Sequence, residues 1–127
     1  MGSPGICIRV KTHCDLDVWK LAMELAERAY AATRSLPKEE LYGLTSQIRR
    51  SAVSIAANIA EGAGRNTRGE FAQFLGIANG SRSELATLLL LAGRIYPETC
   101  FQSEIEATGR VGMMLTKLRR SVRLHPT

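Results

Sequence analysis

The chain has 127 residues, of which 45% are apolar and 23% charged, as expected for one soluble globular domain. Aromatic residues make up only 6%, whereas Ala, Leu and Ile are plentiful, so the composition favours helices over sheets. No apolar run reaches the ~18 residues of a membrane span, and the opening residues lack the basic and apolar parts of a secretion signal. We therefore expect a cytoplasmic protein. Three cysteines without a C-x-x-C pair predict neither a disulfide framework nor a zinc site.

The net charge of +5 is distributed unevenly along the chain. From Ala107 onward there are five basic residues and no acidic one, while the remaining 12 basic residues equal the 12 acidic residues in number. An acid-free basic segment favours an acidic partner, nucleic acid first among them. A solvated helix with cations near its negative C-terminal end explains the same pattern without a partner. Both interpretations stay open at this stage.

Residues 1–14 have no helical periodicity, and Ile6, Ile8 and Val10 alternate with polar or small residues as in a short strand. Because no partner strand is evident, we expect a flexible N-terminal arm, followed by one domain over residues 15–124. Asp15 or Asp17 can cap a first helix that ends before the Leu36-Pro37 pair. Its apolar residues recur at steps of three and four: Val18, Leu21, Leu25, Ala29, Ala32 and Leu36.

The second helix carries two lines of residues at helical spacing. Pro37 starts an opening turn, Gly43 separates this turn from the long helix, and the glycines at 62 and 64 end it. The first line is apolar: Leu41, Leu44, Ile48, Ala52, Ile55 and Ile59. The second line is mostly small and polar: Gln47, Ser51, Ser54, Asn58, Glu61 and Arg65. Since Ser and Asn are poor helix formers and the helix holds few charges, we predict that other subunits cover it on a second side.

Thr67 and Glu70 form a capping box that starts a third helix, which Pro97 ends. Gly76 and Gly80 lie one turn apart inside it, and each costs ~1 kcal/mol relative to Ala, which predicts close approach of a neighbouring helix. A fourth helix begins near Thr99 or Ser103. Its stripe is Ile105, Thr108, Val111, Leu115, Leu118 and Val122. Four helices joined by short loops predict an all-α, up-down-up-down antiparallel four-helix bundle.

A polar network is predicted away from the strongest part of each apolar stripe. Arg50 on the second helix and Glu84 on the third lie among small residues, and we expect them to pair within or between subunits. A partly buried pair of this kind fixes the register of helices more than it adds stability. The other predicted members of the network are Gln47, Ser54, Asn58 and Glu61.

Several segments together resemble one bacterial family. They are Leu16-Asp-Val-Trp19, Leu44-Thr-Ser-Gln-Ile-Arg-Arg50, Ser54-Ile-Ala-Ala-Asn-Ile-Ala-Glu-Gly-Ala-Gly-Arg65, Glu70-Phe-x-x-Phe-Leu75 and Gly80-Ser-x-x-Glu84-Leu. Over residues 15–123 the chain resembles the four-helix-bundle proteins encoded by intervening sequences of the 23S ribosomal RNA gene, also called S23 ribosomal protein-like. The resemblance implies a left-handed bundle, a ring-like homopentamer and a poorly defined role. Related accessory proteins of diversity-generating retroelements, which work with a reverse transcriptase, imply nucleic-acid binding through a basic surface.

The sequence contains no convincing catalytic or metal-binding arrangement. The two histidines, His13 and His125, lie in the terminal segments, so a Ser-His-Asp or Cys-His set has no well-placed base. Asn58 and Glu61 share a helix face that Glu84 can join, but no E-x-x-H pair accompanies them as in ferritin-like sites. The glycine-rich turn at 62–65 lacks the lysine and the preceding strand of a P-loop. We expect no enzyme, no metal and no cofactor.

Two classes of function remain. One is a nucleic-acid-binding accessory protein, and the other is a protein-interaction scaffold that binds no nucleic acid. For the first class, the basic residues of the last helix are the main candidates for contacts to phosphate, and three arginines around the second helix and the following turn are possible additions. The candidates are Arg49, Arg65, Arg68, Lys117, Arg119, Arg120 and Arg123.

Overall fold

The structure is a computed structural model, and it describes His13 and residues 16–124. In this part of the chain there are four α-helices and no strands: α1 (Asp17–Ala32), α2 (Leu44–Ala63), α3 (Arg68–Ile95) and α4 (Gln102–Leu124). Each helix packs on the next, and α1 also packs on α4. The predicted four-helix bundle is confirmed. The expected arm over residues 1–14, with its strand-like alternation, falls almost wholly outside the described residues.

Local sequence signals explain where most of the helices begin and end. The predicted cap at Asp17 is wrong, because Asp17 is the first residue of α1 and the N-cap is Leu16, which makes no side-chain cap hydrogen bond. Three-residue 3₁₀ turns, Thr33–Ser35 and Lys38–Glu40, flank the extended Leu36-Pro37 pair, so α1 stops where the proline predicts. At the start of α3, the backbone N–H of Glu70 donates to Thr67 Oγ1 at 3.1 Å. The Thr67 hydroxyl in turn lies 3.3 Å from the Glu70 carboxylate and donates to it. The bond from the Glu70 backbone N–H to the Thr67 side chain, which is one of the two bonds of the predicted capping box, is therefore confirmed.

Each helix contributes one apolar face to a common core. The largest side chains with almost no exposure come from all four helices: Leu25, Ile48, Ile55, Ile59, Leu75, Leu85, Leu89, Leu115 and Val111. Full burial of such a side chain contributes about 1.5–3 kcal/mol. The predicted stripes of α1, α2 and α4 are confirmed with one clear correction. Leu41 is 48% exposed because α2 begins only at Leu44, so the helical period does not extend back to it.

Helices α2 and α3 approach each other closely at Gly62, near the end of α2. A Cβ atom at this position would lie 2.7 Å from Phe74 Cβ and 3.1 Å from Phe71 Cδ1 of α3. No real side chain fits at these distances, so only glycine lets α3 fold back against α2 here. Gly62 is itself buried.

An ion pair that the sequence did not predict joins the first and last helices. Glu104 of α4 is only 8% exposed, and its Oε2 lies 3.6 Å from Arg28 Nε of α1. The same Oε2 accepts a hydrogen bond from the Ser103 hydroxyl at 2.9 Å. Arg28 also lies 3.9 Å from Glu24 on its solvent side. The pair therefore connects two helices that are far apart in sequence.

Replacing Glu104 by Ala should lower the free energy of unfolding by about 1–3 kcal/mol, since it leaves the Arg28 guanidinium without its buried partner. The loss should fall short of the ~3–5 kcal/mol for a fully buried pair, because the Arg28 side chain is 31% exposed. Thermal denaturation at fixed protein concentration measures the change. Glu24→Ala is the matched control, because it removes the other carboxylate near Arg28. Since the Glu24 side chain is 63% exposed, its loss should lower the free energy of unfolding by less than ~1 kcal/mol. Equal losses for the two variants contradict this assignment.

A second contact joins two chain turns at one end of the bundle. The Tyr96 hydroxyl, after α3, donates to Glu40 Oε2 at 2.6 Å, and Glu40 Oε1 accepts from the backbone N–H of Leu44 at 3.1 Å. Glu40 thus satisfies one of the free amides at the start of α2. The hydrogen bond from Tyr96, and then that from Leu44, lower the pKa of Glu40. The same bond to Glu40 raises the pKa of Tyr96 to about 12.

Because the pKa of Tyr96 lies above its ordinary value of 10.0, the contact stabilises the fold fully below pH 10 and is lost as the pH rises through about 12. The lowered pKa of Glu40 acts in the other direction, so its contribution is present above pH 4.5 and is lost as the pH falls through the lowered value. Phenolate absorbance should show one tyrosine titrating near pH 12, and Tyr96→Phe should remove that phase. Glu40→Gln should move it towards pH 10. A phase that survives Tyr96→Phe disproves the assignment.

Candidate nucleic-acid interface

The basic residues predicted from the sequence fall into two groups in the structure. The four on α4 line the groove between α3 and α4: Lys117, Arg119, Arg120 and Arg123. The other three do not join them. Arg49 lies on the α1 side of α2, and Arg65 and Arg68 lie at the turn between α2 and α3.

The groove between α3 and α4 consists of two adjoining depressions of ≈ 370 and ≈ 470 Å³, which share Thr116 and Arg120. Arg119 and Arg123 line the first depression, and Arg82 and Lys117 line the second. Of the described residues that line either depression, none is acidic. We call this surface the basic groove and define it by its five cations. They are Arg82, Lys117, Arg119, Arg120 and Arg123.

Arg82 belongs to the basic groove, although it was not among the residues predicted from the sequence. It lies on α3, where its Nε and Nη2 donate to Asn79 Oδ1 at 3.1 and 3.0 Å. The signal for this contact was the three-residue spacing from Asn79, which places both residues on one helix face. The sequence alone does not tell which face of α3 meets α4. The net charge along the sequence gave no signal for Arg82, because Glu84 follows two residues later and balances its charge.

Arg119 makes a structural hydrogen bond between α4 and α3. Its Nε donates to the backbone carbonyl of Ala72 on α3 at 3.0 Å. A Cβ atom at Gly76 would lie 3.0 Å from the Arg119 Cζ, so Gly76 admits the arginine side chain. The predicted close approach to Gly76 therefore occurs through a side chain of α4. The same expectation for Gly80 is not met within the described chain, where a Cβ atom would have no neighbour within 4 Å.

The arginines outside the basic groove make other contacts. Arg49 Nε donates to Thr33 Oγ1 at 2.9 Å, and the Arg49 guanidinium lies 4.6 Å from the centre of the Tyr30 ring. Arg65 lies 4.8 Å from the centre of the Phe74 ring and pairs with Glu61 at 3.3 Å. These contacts leave fewer N–H groups for a phosphate. Arg68 is exposed at the first position of α3 and stays a candidate at the edge of the interface.

Two members of the predicted polar network on α2 lie together at the contact with α3. The Ser54 and Ser81 hydroxyl oxygens are 2.8 Å apart. Asn58 Nδ2 donates to the Ser54 backbone oxygen at 2.8 Å and to its hydroxyl at 3.0 Å. These bonds satisfy small polar groups that are only partly exposed.

The remaining members of the network point to the outside of the single chain. Gln47 and Glu84 are exposed. Arg50 donates to the Ser46 hydroxyl at 3.1 Å, and within the described chain it forms no ion pair with Glu84. A pair between Arg50 and Glu84 of neighbouring subunits stays a prediction.

The residues weighed for catalysis are dispersed over the bundle. The His13 ring packs edge-on against Trp19, with ring centres 4.9 Å apart. Within the described ranges, no group of three or more His, Cys, Asp or Glu side chains is placed to hold a metal ion. None of the helices described is both long and apolar enough to cross a membrane.

A model of the 23S rRNA-intervening sequence protein family matches residues 14–117. The chain belongs to this family. Among solved structures, it is similar to a protein of unknown function from the S23 ribosomal protein family of Bacteroides thetaiotaomicron, with a TM-score of 0.74 and 26% sequence identity. That similarity covers 81% of this chain and 95% of the other. No curated protein gives a significant match. The family resemblance is confirmed, while the relation to retroelement accessory proteins stays a prediction.

The match to the 23S rRNA-intervening sequence family divides the basic groove. Arg82 and Lys117 lie within the matched range, which ends at residue 117. Arg119, Arg120 and Arg123 lie beyond it, on the last two turns of α4. The groove therefore combines cations from the matched part of the bundle with cations that extend α4 past it.

This family member has a second surface, which is apolar. Met23, Tyr30 and Val53 are exposed, and together with Trp19 and Ala57 they line a groove of ≈ 610 Å³ between α1 and α2. We call these five residues the apolar face. Since the helices pack in the order α1, α2, α3, α4 and back to α1, the apolar face and the basic groove lie on opposite sides of the bundle.

Proposed function

We propose that this member of the 23S rRNA-intervening sequence protein family is a non-catalytic homo-oligomer that binds the backbone of RNA or DNA along its basic groove. The observation that carries the proposal is the groove itself, in which two helices contribute five cations and no described lining residue is acidic. Such surfaces bind phosphates without reading bases. The proposal includes a cytoplasmic location, because bacterial RNA and DNA are found there.

The contribution of α3 argues against a solvated helix end as the whole explanation. Cations that only complement the C-terminal dipole of α4 need to lie on the last turn of that helix. Arg82 instead reaches the groove from the middle of α3, and Lys117 lies two turns before the end of α4. Like charges gathered without acids repel one another, and a polyanion relieves that repulsion.

We also propose that a neighbouring subunit covers the apolar face. Monomeric proteins rarely leave a large contiguous apolar patch exposed. On the outer side of α3, three further apolar residues are exposed at helical spacing: Ile77, Leu91 and Ile95. The family resemblance implies five subunits, and five copies of 13.9 kDa give about 70 kDa. In a ring, each subunit offers two different patches to its two neighbours. We propose the exposed apolar residues of α3 as the second patch, which leaves the basic groove uncovered.

Val53→Glu should break the oligomer while preserving the folded subunit. Val53 is 45% exposed in the single chain, so the carboxylate stays hydrated there, whereas a subunit interface would bury it at high cost. Leu90→Glu is the control. Leu90 is also exposed, but it lies on α3, two steps of four residues after Arg82, and is therefore away from the apolar face. Light scattering measures the mass, and circular dichroism checks the fold.

The same measurements on Glu84→Ala test the predicted contact with Arg50.

A monomer of about 14 kDa for the unchanged protein at micromolar concentration contradicts the oligomer. Dissociation by Leu90→Glu alone would place the interface elsewhere.

Replacing Lys117, Arg120 and Arg123 together by Ala should weaken nucleic-acid binding and flatten its salt dependence. These three side chains are exposed, so their removal should disturb the fold little. For a single strand, log affinity changes with log salt by about −0.7 per phosphate contact, so loss of three contacts should reduce the slope by about 2. Fluorescence anisotropy with mixed-sequence single-stranded RNA and DNA at several salt concentrations measures the slope.

The matched control removes three cations from the opposite end of the bundle, by changing Arg34, Lys38 and Arg94 to Ala. Its net charge equals that of the groove variant, so an equal effect of the two would show that only overall charge matters. Undetectable binding by the intact oligomer at low salt rejects nucleic acid as the ligand. The remaining candidate is then a protein-interaction scaffold, which the apolar face favours.

A further inference from the structure

Two arginines of the basic groove lie over glycines of the opposite helix. Arg119 of α4 lies over Gly76 of α3, where a Cβ atom would be 3.0 Å from its Cζ. Arg82 of α3 lies over Gly112 of α4, where a Cβ atom would be 2.9 Å from its Nε. The arrangement is reciprocal because α3 and α4 run antiparallel. Each glycine thus makes room for one guanidinium group at the floor of the groove.

Each guanidinium group is also anchored by a polar bond that leaves other donors free. Arg119 uses Nε on the Ala72 carbonyl, so both of its terminal nitrogens keep their N–H groups. Arg82 uses Nε and Nη2 on Asn79 Oδ1, which leaves Nη1 for another acceptor. A guanidinium group has five N–H donors and no acceptor. In the described part of the chain, neither arginine forms an ion pair with a carboxylate.

The positions of the two anchors define a spacing along the groove. Arg119 lies at the level of Gly76, and Arg82 lies at the level of residues 79–82, three to six residues further along α3. At 1.5 Å per residue, the two guanidinium groups are about 5–9 Å apart along the helix axis. The sugar and ester bonds between neighbouring phosphates of a nucleic-acid strand span a comparable distance. A row of cations at such spacing suits a chain of phosphates better than a single anion.

We propose that Gly76 and Gly112 hold Arg119 and Arg82 in place so that these arginines contact consecutive phosphates of one nucleic-acid strand. The inference rests on the proposed nucleic-acid binding and adds Arg82 as a binding residue. The two glycines act as positioning residues, since they touch the arginines and not the ligand. The fixed guanidinium groups lose little side-chain entropy on binding, whereas exposed Lys117, Arg120 and Arg123 must be ordered by the ligand.

The test replaces Gly76 and Gly112 by Ala, singly and together, with Gly93→Ala as the control. Gly93 lies in the same helix as Gly76, and a Cβ atom there would have no neighbour within 4 Å. At Gly76 and Gly112 the added methyl group meets only the flexible end of an arginine, so the fold should be kept. Because Ala is a better helix former than Gly, the melting temperature of all four variants should stay equal or rise.

Binding to mixed-sequence single-stranded RNA should nevertheless weaken by roughly ten-fold in the double variant. Its salt slope should fall by about 1.4, at about 0.7 for each of two lost phosphate contacts. Gly93→Ala should bind like the unchanged protein. Unchanged or increased stability together with a loss of binding is a result that a purely structural role of the glycines does not produce.

Arg82→Lys gives an independent readout, because it keeps the charge but loses the planar fork that bonds Asn79. It should weaken binding as Gly112→Ala does. If the glycine variants and Arg82→Lys bind normally while the variant lacking Lys117, Arg120 and Arg123 binds weakly, the positioning proposal is wrong and the proposed function stands. If the unchanged oligomer binds no RNA, both proposals are wrong.

Discussion

The close packing of α2 against α3 at Gly62 is the constraint on which the other features depend. With no side chain at this position, Phe71 and Phe74 can lie directly on the end of α2. This contact sets how α3 is rotated about its own axis, just after the Thr67 cap has started it. The rotation directs Leu75, Ala78 and Leu85 into the core. It also places Asn79 and Arg82 on the side of α3 that faces α4. The contact at Gly62 therefore determines which residues of α3 line the basic groove.

The bundle separates two kinds of surface that would interfere if they were mixed. The apolar face lies between α1 and α2, and the basic groove lies between α3 and α4. An interface that buries the apolar face need not desolvate the cations of the groove, which would cost free energy without a partner of opposite charge. In the oligomer that we propose, the basic groove would be repeated once in each subunit. The separation would let one small chain form that oligomer and still keep its positive surface exposed.

The sequence predicted what is local and missed what depends on how the helices are rotated against each other. The helix ends, the Thr67 cap and the core stripes follow from proline, glycine and apolar spacing within a few residues. The Arg28–Glu104 pair joins residues far apart in the chain, so periodicity contains no signal for it. Arg82 was missed because its charge is balanced locally by Glu84. Arg119 was predicted to contact phosphate. The structure adds that one of its N–H groups, on Nε, donates to the Ala72 carbonyl.

We propose that a nucleic-acid strand lies in the groove between α3 and α4. Hydrogen–deuterium exchange of the full-length protein, with and without mixed-sequence single-stranded RNA, tests this proposal at the level of segments. When RNA is present, we expect slower exchange in residues 76–82 of α3 and 112–123 of α4, and unchanged exchange in residues 19–30 of α1. Protection confined to α1 and α2, or no protection at saturating RNA, would contradict it.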